Sequence, residues 1–487
     1  MDSYVLCGMQ FGDEGKGTFV DYMSHREDAD AVVRYNGGSQ ASHTVVTPSG
    51  TLHKFSQLGS GMFLENCHTY ITENTVVNLD NLMVELKVFS EKTGISVSEL
   101  INRIHIHENC FVVTPYHKLL NKLRELSLGE NRRGTVGTGV SEVRYVLEES
   151  QNFPLEPSLG VQVKDIFDSR GIRPLLAGFM GLHEYVSAFY QENQEVIWKN
   201  TPEEMKEGLQ KEIDSLLSGQ VFNLTNIYRR YFNTVPREFN LKRCIYSTYE
   251  QSLHANCKKV IFEGSQGLLI DGKYGIKPNT TFLDTTNQFA LRISRYTDHV
   301  TKVGIVKAFS SRHGPGIFPT ESEEVSSKIQ DPNQEESFWN GKIRFGWLDV
   351  VLLRYAQHIN QVDELYLSSL DLLDDFEELK ICVGYIYDGK VDEEFNRTFE
   401  YVDMLDGRKY IDDIVMPSDR LGEYLKLCVP DYMCIRGWKK DISQVTDQEE
   451  LPVRCRNYIG WLGRLMNLPV TVVSVGPTRE NKIRMDS

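Results

Sequence analysis

The chain has 487 residues, 40% of them hydrophobic and 25% charged, and it carries a formal charge of −15 at pH 7. This acidic balance disfavours a protein that tracks a phosphate backbone, so we expect no nucleic acid partner. No apolar run reaches the length of a membrane span, and the nine scattered cysteines include no C-x-x-C pair. We therefore expect a cytoplasmic protein with reduced thiols and no membrane partner.

Short apolar runs of strand length recur along the chain and alternate with stretches of helical spacing such as 347–360. Strands that alternate with helices predict an α/β fold in which a large, mostly parallel central sheet carries helices on both faces. The predicted strands cover residues 4–7, 31–35, 259–262, 303–308, 364–367, 380–385 and 470–475.

One helix shows its boundaries in the sequence, between Thr201 and Gly219. Thr201 is predicted to cap it, Pro202 suits its first position, and Glu204 completes a capping box. An apolar stripe along this segment predicts ordinary packing and no role in chemistry.

The domain organisation follows from the less regular segments. Residues 320–342 and 388–419 are polar and lack a clear period, which predicts surface segments, either functional lids or loose insertions. Residues 1–487 are predicted to form a single domain with insertions near 150–245 and 387–450.

The first predicted strand leads into a glycine-rich loop, GMQFGDEGKG at 8–17, and then into a helix that begins near Lys16. A nucleoside triphosphate loop usually reads G-x-x-x-x-G-K-[ST], whereas here only two residues separate Gly12 from Gly15, and Gly17 follows the lysine. Backbone N–H groups, the positive end of the helix and the lysine ammonium still converge on one spot, which suits phosphate. The segment is P-loop-like, with a plain glycine-rich turn as the alternative.

Both residues between the two glycines are acidic, which is unexpected in a loop for phosphate. Because no Ser or Thr follows Lys16, a magnesium ion that bridges the phosphates needs another hard oxygen ligand, and Asp13 could supply it. Alternatively, Asp13 is a general base at the place where a nucleophile meets the γ-phosphate. An acid here therefore suggests that the acceptor of the phosphoryl group is deprotonated in the loop.

The segment GMQFGDEGKGTFVDYMS resembles the N-terminal signature of the adenylosuccinate synthetase family, and seven further segments resemble that family in the same order. They are VRYNGGSQASHTVV, GTVGTGVSEVRY, VIFEGSQGLLID, SSRHGPGIFPTE, GWLDVVLLR, SSLDLLDDFEELKICVGY and VVSVGPTR. The resemblance implies a Mg²⁺-dependent ligase that activates the 6-oxygen of inosine monophosphate with the γ-phosphate of GTP. The aspartate amine then displaces that phosphate. The resemblance also implies a homodimer, because the family's site includes a contribution from a neighbouring subunit.

The resemblance assigns the catalytic roles to three residues. Asp13 matches the residue that removes the N1 proton and also meets Mg²⁺, and His43 matches the one that donates to the developing oxyanion and the γ-phosphate. Gln266 matches the side chain that steadies the purine 6-oxygen, a task that suits a neutral amide donor. Ser42 stands where a backbone carbonyl meets the metal. A structural hydrogen-bonding role is the alternative for His43 and Gln266.

The nucleoside triphosphate site is implied in the same way. A carboxylate at Asp371 suits the N1–H and 2-amino group of guanine, because it only accepts hydrogen bonds. The family usually has a lysine just before the Leu-Asp pair, and this chain has Ser369, so GTP is expected first and ATP is the alternative. The residues implied for this site are Gly12, Glu14, Gly15, Lys16, Gly17, Asp371, Ser474, Gly476 and Pro477.

Departures from the family pattern concentrate around the acceptor nucleotide. Gln40 and Ser42 stand where Asn and Gly are usual, and Val136 replaces a phosphate-binding hydroxyl. After residue 145, the sequence has no counterpart of the arginine that reaches the phosphate across the dimer. The implied acceptor residues are Gln40, Thr135, Val136 and Thr281.

The amino-acid site keeps two cations ahead of GWLD, Lys342 and Arg344, which can meet the two carboxylates of aspartate. Arg344 is the better candidate, because a guanidinium binds a carboxylate in a planar fork and an ammonium does not. The preceding acidic stretch is then expected to close over the site, with a solvated surface loop as the alternative.

The sequence thus predicts a ligase that joins aspartate to C6 of a 6-oxopurine nucleotide through a 6-phosphoryl intermediate, driven by GTP hydrolysis. One alternative is a paralogue acting on a deoxy or modified nucleotide such as dGMP, although the related phage branch typically has serine at the position of Asp13. A second alternative is a non-catalytic nucleotide sensor, which the retention of Asp13, Lys16, His43 and Gln266 argues against.

Overall fold

The computed structural model describes residues 1–135, 137–152, 159–167, 172–218, 241–295, 297–329, 338–339 and 341–486. In chain order the strands are β1 (Asp2–Gly8), β2 (Ala31–Arg34), β3 (His43–Val46), β4 (Leu52–Phe55), β5 (His68–Ile71), β6 (Ile104–His107), β7 (Ile245–Tyr246), β8 (Lys259–Glu263), β9 (His299–Lys307), β10 (Ser310–His313), β11 (Ile343–Gly346), β12 (Leu348–Asp349), β13 (Glu364–Ser368), β14 (Glu378–Tyr387), β15 (Phe399–Asp403), β16 (Lys409–Ile414), β17 (Cys428–Arg436), β18 (Val470–Ser474) and β19 (Lys482–Arg484).

The α-helices are α1 (Lys16–Glu27), α2 (Leu79–Thr93), α3 (Val97–Asn102), α4 (Pro115–Leu128), α5 (Val140–Asn152), α6 (Val163–Phe167), α7 (Ile172–Asn200), α8 (Glu203–Leu217), α9 (Gln288–Ser294), α10 (Glu323–Lys328), α11 (Val350–Asn360), α12 (Glu393–Thr398), α13 (Leu421–Leu425) and α14 (Val453–Met466). Short 3₁₀ helices occur at Gly129–Asn131, Leu241–Cys244, Leu268–Ile270, Asp371–Leu373, Gln448–Glu450 and Arg479–Asn481, and a π-helical turn at Glu250–His254. Within the described ranges, no helix is long and apolar enough to cross a bilayer.

Ten of the strands form one sheet in the order β19-β18-β13-β9-β1-β8-β2-β5-β6-β7. Its pairings are parallel apart from the antiparallel edge between β18 and β19. The predicted α/β fold with a large, mostly parallel central sheet is therefore confirmed.

Helices cover both faces of this sheet. Successive side chains of a strand point to opposite faces, and Leu6 of β1 packs with Phe19 and Met23 of α1. Its neighbour Val5 packs instead with Phe289 and Ile293, which belong to α9. All of these side chains are buried, which explains why β1 is apolar from Tyr4 to Cys7, as strands in parallel sheets usually are.

The carboxyl ends of four adjacent strands meet at one edge of the sheet. In the order of the sheet, these ends are Ser368 of β13, Lys307 of β9, Gly8 of β1 and Glu263 of β8. Ser368 pairs with Lys307, and Leu6 of β1 pairs with Glu263, so the register is staggered by only a few residues. Open α/β sheets bind ligands at this edge.

The prediction that the stretch 388–419 is an irregular surface segment is wrong, because the stretch forms regular secondary structure. It contains α12, β15 and all of β16, and the two strands join a second sheet in the order β12-β14-β16-β15, in which β17 also pairs with β14. In this layer Phe399, Ile411 and Ile414 are buried, whereas Val402 is exposed. This mixture of buried and exposed apolar residues explains the irregular apolar spacing.

Two other expectations about local structure need correction. Thr201 does not cap α8, because its hydroxyl donates to the Ile197 carbonyl oxygen at 2.7 Å and so finishes the preceding helix. The 347–360 segment is helical only from Val350, after Asp349 caps the helix by accepting from the Leu352 N–H at 3.1 Å. The helix predicted to end at Gly219 ends within the described residues at Leu217.

The polar stretch 320–342 is described only in part, since residues 330–337 and 340 lie outside the described ranges. Its first part forms α10, which Ser322 caps by accepting from the Val325 N–H at 3.4 Å. All nine cysteines are free thiols, as expected. The single-domain organisation stays a prediction.

Candidate active site

The loop after β1 buries one of its two acids and exposes the other. Gly12 and Asp13 have positive φ angles of 103° and 59°, which glycine adopts freely and aspartate tolerates. Glu14 is fully buried, and its carboxylate accepts hydrogen bonds from the N–H groups of Gln10 at 3.0 Å and Gly12 at 2.9 Å, and from Lys16 Nζ at 2.5 Å. Some of the loop amides predicted for phosphate are thus held by the protein's own carboxylate. The predicted contact of Glu14 with a nucleotide stays a prediction.

The loop after β8 lies directly against this first loop. A Cβ atom on Gly8 would come within 2.4 Å of the Gln266 carbonyl oxygen, and one on Gly267 within 2.3 Å of the Gln10 carbonyl oxygen. Only glycine fits such a backbone approach. The contact brings Gln266 beside Gly12, whose Cβ position lies 3.7 Å from the Gln266 Cα atom.

Gln266 itself is held in a conformation typical of functional positions. It has a φ of 61°, in the left-handed region, and its side-chain Oε1 is buried with no hydrogen-bond partner in the described part of the chain. Strained backbone and unsatisfied buried polar atoms concentrate at functional sites. The sequence assigned Gln266 to the purine 6-oxygen, and the structure places it at the phosphate loop.

Asp13 faces a residue that the sequence did not single out. His313, at the end of β10, places Nε2 2.9 Å from Asp13 Oδ2, and the aspartate side chain is 48% exposed. Although desolvation opposes ionisation, the hydrogen bond and charge of His313, together with Lys307 and Lys16, lower the pKa of the Asp13 carboxyl from 3.8 to about 2. Asp13 is therefore ionised at neutral pH.

His43 is the first residue of β3 and lies against the start of α1, since a Cβ atom on Gly17 would be 2.7 Å from the His43 Cβ atom. Its Nδ1 lies 2.5 Å from Glu263 Oε1. Glu263 is fully buried and also accepts from the Ser60 N–H at 2.9 Å and from the Ser60 hydroxyl. This contact orients the imidazole and leaves Nε2 for a ligand.

The electrostatics of this pair are set by burial and by mutual attraction. Desolvation lowers the pKa of His43, and Glu263 partly opposes that change. Desolvation acts against ionisation of Glu263 as well, but His43 and Arg34 outweigh it and lower the pKa of the Glu263 carboxyl to about 2. Glu263 is thus a fixed negative charge behind His43.

The residues predicted for the donor nucleotide surround the start of α1. A Cβ atom on Gly15 would lie 3.5 Å from the Ser368 Cβ atom, and the Thr18 hydroxyl donates to the Pro477 carbonyl oxygen at 3.0 Å. The Leu370 N–H donates to the Ser474 carbonyl oxygen at 3.1 Å, which joins the two predicted walls of the base pocket. Asp371 follows this junction, and its pKa is raised, mainly by desolvation.

Lys482 is a further residue of this pocket that the sequence did not indicate. Its Nζ donates to the carbonyl oxygens of Gly476 at 3.0 Å and Thr478 at 2.7 Å. Burial lowers the pKa of this ammonium to about 7, against the attraction of Asp21 and Asp371. The lysine therefore holds the turn that carries Gly476.

The residues predicted for the acceptor nucleotide lie around the start of α5. The Thr135 hydroxyl accepts from the Asn121 side-chain amide at 2.8 Å, and the Thr281 hydroxyl lies 3.3 Å from the Ser141 hydroxyl. Both side-chain amide atoms of Gln40 are buried with no hydrogen-bond partner among the residues described. Val136 lies outside the described residues.

Of the two cations predicted for the amino acid, Arg344 lies on β11 and Lys342 lies just before it. Arg344 donates to the carbonyl oxygens of Gly314 at 3.0 Å and Gly316 at 2.9 Å and pairs with Glu321 at 2.6 Å. Lys342, which precedes the first residue of the strand, is exposed. An incoming carboxylate would therefore compete with Glu321 for Arg344.

The two predicted magnesium ligands fit the ion only in part. Asp13 offers an ionised, half-exposed carboxylate, and Ser42 is exposed beside His43. Across the described ranges, no three acidic, histidine or cysteine side chains are grouped to hold an ion by themselves. Mg²⁺ usually completes its shell with phosphate oxygens and water, and these two residues suit that arrangement.

Three functional candidates were missed from the sequence, although two of them lie in segments that resemble the family. His313 lies in SSRHGPGIFPTE and Glu263 in VIFEGSQGLLID, while Lys482 follows VVSVGPTR. The available signal was position, since Glu263 ends a buried strand with a charge, which is rare unless that charge is paired. Their partners are as far as 300 residues away in the chain, so spacing alone gave no sign of the contacts.

Comparison with known proteins shows the family of the chain. The family model for adenylosuccinate synthetase matches residues 5–483. Proteins named adenylosuccinate synthetase are similar over nearly their full lengths. They include those of Halothermothrix orenii (29% identical, 100% of this chain and 99% of the relative), Desulfitobacterium hafniense (31%, 99% and 99%) and Chlorobium chlorochromatii (32%, 98% and 96%).

Two solved structures share the fold. The structure of fully ligated adenylosuccinate synthetase from Plasmodium falciparum matches with a TM-score of 0.76 at 22% identity, with 100% of both chains covered. Succinoaminodeoxyadenylate synthetase of cyanophage S-2L, bound to dGMP and dATP as an energy donor, matches with a TM-score of 0.50 at 13% identity, with 100% of this chain and 96% of that chain covered. The predicted family and enzyme class are confirmed: the chain belongs to the adenylosuccinate synthetase family, whose members are ligases that form carbon–nitrogen bonds.

Proposed function

We propose that the protein joins aspartate to C6 of a 6-oxopurine nucleotide, with inosine monophosphate as the first candidate, driven by hydrolysis of GTP. The observation that carries the proposal is the pair formed by Asp13 and His43 at the phosphate loop. One is an ionised and exposed carboxylate, and the other is an imidazole oriented by a buried carboxylate. We also propose that the protein is a cytoplasmic homodimer that binds Mg²⁺ in each site.

In the first step, Asp13 removes the proton from N1 of the purine, the 6-oxygen attacks the γ-phosphorus of the donor, and the bond from that phosphorus to the β,γ-bridging oxygen breaks, so that the nucleoside diphosphate leaves. A carboxylate with a pKa of about 2 is always ionised at neutral pH but is a weak base. His313 supplies the hydrogen bond that keeps this pKa low. When the purine N1–H takes the place of the His313 N–H, the carboxylate regains basicity at the moment of proton transfer.

His43 and Lys16 stabilise the charge that develops on the transferred phosphoryl group. When His43 is neutral and its Nδ1–H donates to Glu263, Nε2 can only accept a hydrogen bond. When His43 is protonated, Nε2 becomes a donor. The negative charge of the γ-phosphate and of Glu263 both favour the protonated form. Gln266 donates from its amide to the 6-oxygen and thereby favours the oxyanion.

In the second step, the aspartate amine attacks C6, and phosphate leaves with the former 6-oxygen. Arg344 and Lys342 hold the carboxylates of the amino acid, and Arg344 exchanges Glu321 for the ligand. This exchange links amino-acid binding to the segment that carries Glu321, immediately before α10. The predicted closure of the 320–342 stretch follows from that link.

The donor nucleotide and the ion are assigned from the loops that hold them. Asp13 and the Ser42 carbonyl would hold Mg²⁺, which neutralises charge on the phosphates when it is bound. Asp371 accepts from the base edge, which favours guanine over adenine because a carboxylate has no donor to offer adenine. GTP is therefore the proposed donor, and ATP is the alternative, since Ser369 replaces the usual lysine.

A paralogue that uses a deoxy or modified nucleotide such as dGMP is the second candidate. The departures at Gln40 and Ser42 favour it, because they alter the surroundings of the acceptor. Asp13 favours a purine without a 2-amino group, since the branch that accepts dGMP typically carries serine there.

The test is a screen of acceptors with aspartate and Mg²⁺ and with either GTP or ATP, in which phosphate release is measured. Inosine and guanosine nucleotides, ribo and deoxy, mono- and triphosphate, cover the candidates. Release that requires both a purine nucleotide and aspartate supports the ligase. Tight binding of nucleotides without turnover would instead identify a sensor.

Two variants check the assigned roles. Asp13→Asn and His43→Ala should each lower kcat by at least about 10²-fold with whichever acceptor works. Full activity in either variant would remove that residue from the mechanism.

A further inference from the structure

Two adjacent arginines precede the Gly134-Thr135 pair at the acceptor site, and the structure uses them differently. The Arg132 guanidinium donates to the Phe338 carbonyl oxygen at 2.9 Å and lies over the Phe338 ring, 4.2 Å from its centre. Its donors are therefore engaged with the protein.

Among the described residues, Arg133 has no such partner. Its guanidinium carbon lies 4.3 Å from the centre of the Phe282 ring and 5.8 Å from that of the Tyr145 ring. It makes no hydrogen bond or ion pair with the residues that the structure describes. A guanidinium stacked on an aromatic face keeps its in-plane N–H donors for another group, and it carries its charge at every physiological pH.

The Tyr145 ring beside Arg133 lies one helical turn from Ser141, whose hydroxyl contacts that of Thr281. Ser141 and Tyr145 are four residues apart on α5, so their Cβ atoms lie about 5–6 Å apart on one face of the helix. Ser141 contacts Thr281 at 3.3 Å, and Tyr145 contacts Phe282 with ring centres 4.7 Å apart. The 281–282 segment therefore runs along this face, with hydroxyls at one end and the stacked cation at the other.

An unsatisfied amide lies beside the same helix start. A Cβ atom on Gly38 would lie 3.1 Å from Gln40 Oε1 and 2.8 Å from Val140 Cγ1, so Gln40 adjoins the first residue of α5. Both of its side-chain amide atoms are buried and unpaired within the described residues. Buried polar groups are normally hydrogen-bonded, and an exception calls for a missing partner such as a ligand.

We infer that Arg133 binds the phosphate of the acceptor nucleotide from within the same chain, together with the hydroxyls of Ser141 and Thr281 and the amide of Gln40. This inference rests on the proposed function, because it assumes a nucleotide acceptor. Phosphate is matched by a guanidinium fork, hydroxyl donors and the positive end of a helix. Ser141 then supplies the hydroxyl that Val136 cannot, and no arginine of a second subunit is needed.

The test compares nucleotide and nucleoside binding to the full chain by calorimetry. Arg133→Met keeps the stacking and removes the charge, so it should weaken binding of the nucleoside monophosphate about 10- to 100-fold and leave the corresponding nucleoside within about twofold. Arg133→Lys should bind the nucleoside monophosphate more weakly than the wild type and more tightly than Arg133→Met. Arg132→Met is the matched control, with an expected change below about threefold.

The outcomes separate this inference from the proposed function. The wild-type protein is first titrated with inosine monophosphate and dGMP, and failure of both to bind would refute the proposed acceptor class. If one binds and Arg133→Met binds it equally well, the role of Arg133 is refuted. Equal weakening of nucleotide and nucleoside would show a structural role and would also refute it.

Mixing of variants tests the statement that the contact lies within one chain. Arg133→Met and Asp13→Asn are mixed, refolded together or co-expressed, and assayed for phosphate release at a low acceptor concentration. If Arg133 serves the site of its own chain, the mixture should show no more activity than the two variants assayed separately. Recovery of activity in hybrid dimers would mean that Arg133 serves the site of the neighbouring subunit.

Discussion

Replacing Glu263 with Gln tests whether the buried carboxylate behind His43 is needed for catalysis. The pKa of the Glu263 carboxyl lies at about 2, against 4.5 for a free one, which corresponds to about 3 kcal/mol of favourable interaction with its surroundings. His43, Arg34 and Ser60 share this interaction. Removing the charge therefore destabilises protonated His43 by roughly 1–2 kcal/mol, and loss of orientation adds to it, so kcat should fall about 10- to 100-fold.

The pH dependence of the variant gives a second readout. Glu263 favours the protonated imidazole, so Glu263→Gln lowers the pKa of His43 further. If protonated His43 is the active form, the rate falls as pH rises through this pKa, and the alkaline limb moves to lower pH in the variant. Phosphate release is measured from pH 6 to 9, with Ser60→Ala as a control that keeps the carboxylate. An unchanged limb with kcat within twofold of the wild type would show that the carboxylate has no part in catalysis.

Three further predictions concern stability and loop contact. The wild-type unfolding free energy should rise between pH 7 and 10.5, because Lys482 has a pKa of about 7 in the folded protein and the unfolded state binds more protons in that range. In Lys482→Met this rise should disappear. Denaturant titrations at pH 7 and 9 in which the unfolding free energy changes equally with pH in both proteins would contradict this. His313→Val should raise the pKa of Asp13 from about 2 towards 3.8 and so shift acid unfolding, followed by circular dichroism, to slightly higher pH, with no such shift in an Asp13→Asn background. Gly267→Ala should abolish activity and lower stability by about 1–3 kcal/mol, since the added methyl group would meet the Gln10 carbonyl oxygen; a soluble variant with normal turnover would argue against the tight contact between the loops.

Much of the fold could be predicted because its strands are buried on both faces. The stretch of β9 from Val303 to Val306 is buried and contains only apolar residues and glycine, and so the strand is visible without knowledge of its neighbours. Glycine-rich turns at the ends of such strands likewise marked the phosphate loop and Gln266. The candidate residues Asp13, His43 and Gln266 could be assigned to one site because each lies in a segment that resembles the family.

The rest depended on contacts that no local pattern encodes. The 388–419 stretch forms strands whose outer face is exposed, as at Val402, so its apolar residues follow no regular period. Thr201 had a second acceptor in the preceding helix, and local pattern could not decide between the two. The partners of Asp13 and His43 lie on strands 300 and 220 residues away in the chain, and only the folded sheet brings them together.

The backbone contact at Gly8 and Gly267 has a consequence for how the site can move. With no side chain between the two loops, the base at Asp13 and the amide at Gln266 shift only as a unit. Changes that fit the site to a new acceptor can then occur in parts of the site outside this backbone contact, namely the start of α5 and the strand that carries Arg344. The reaction can then stay unchanged while the choice of substrate evolves.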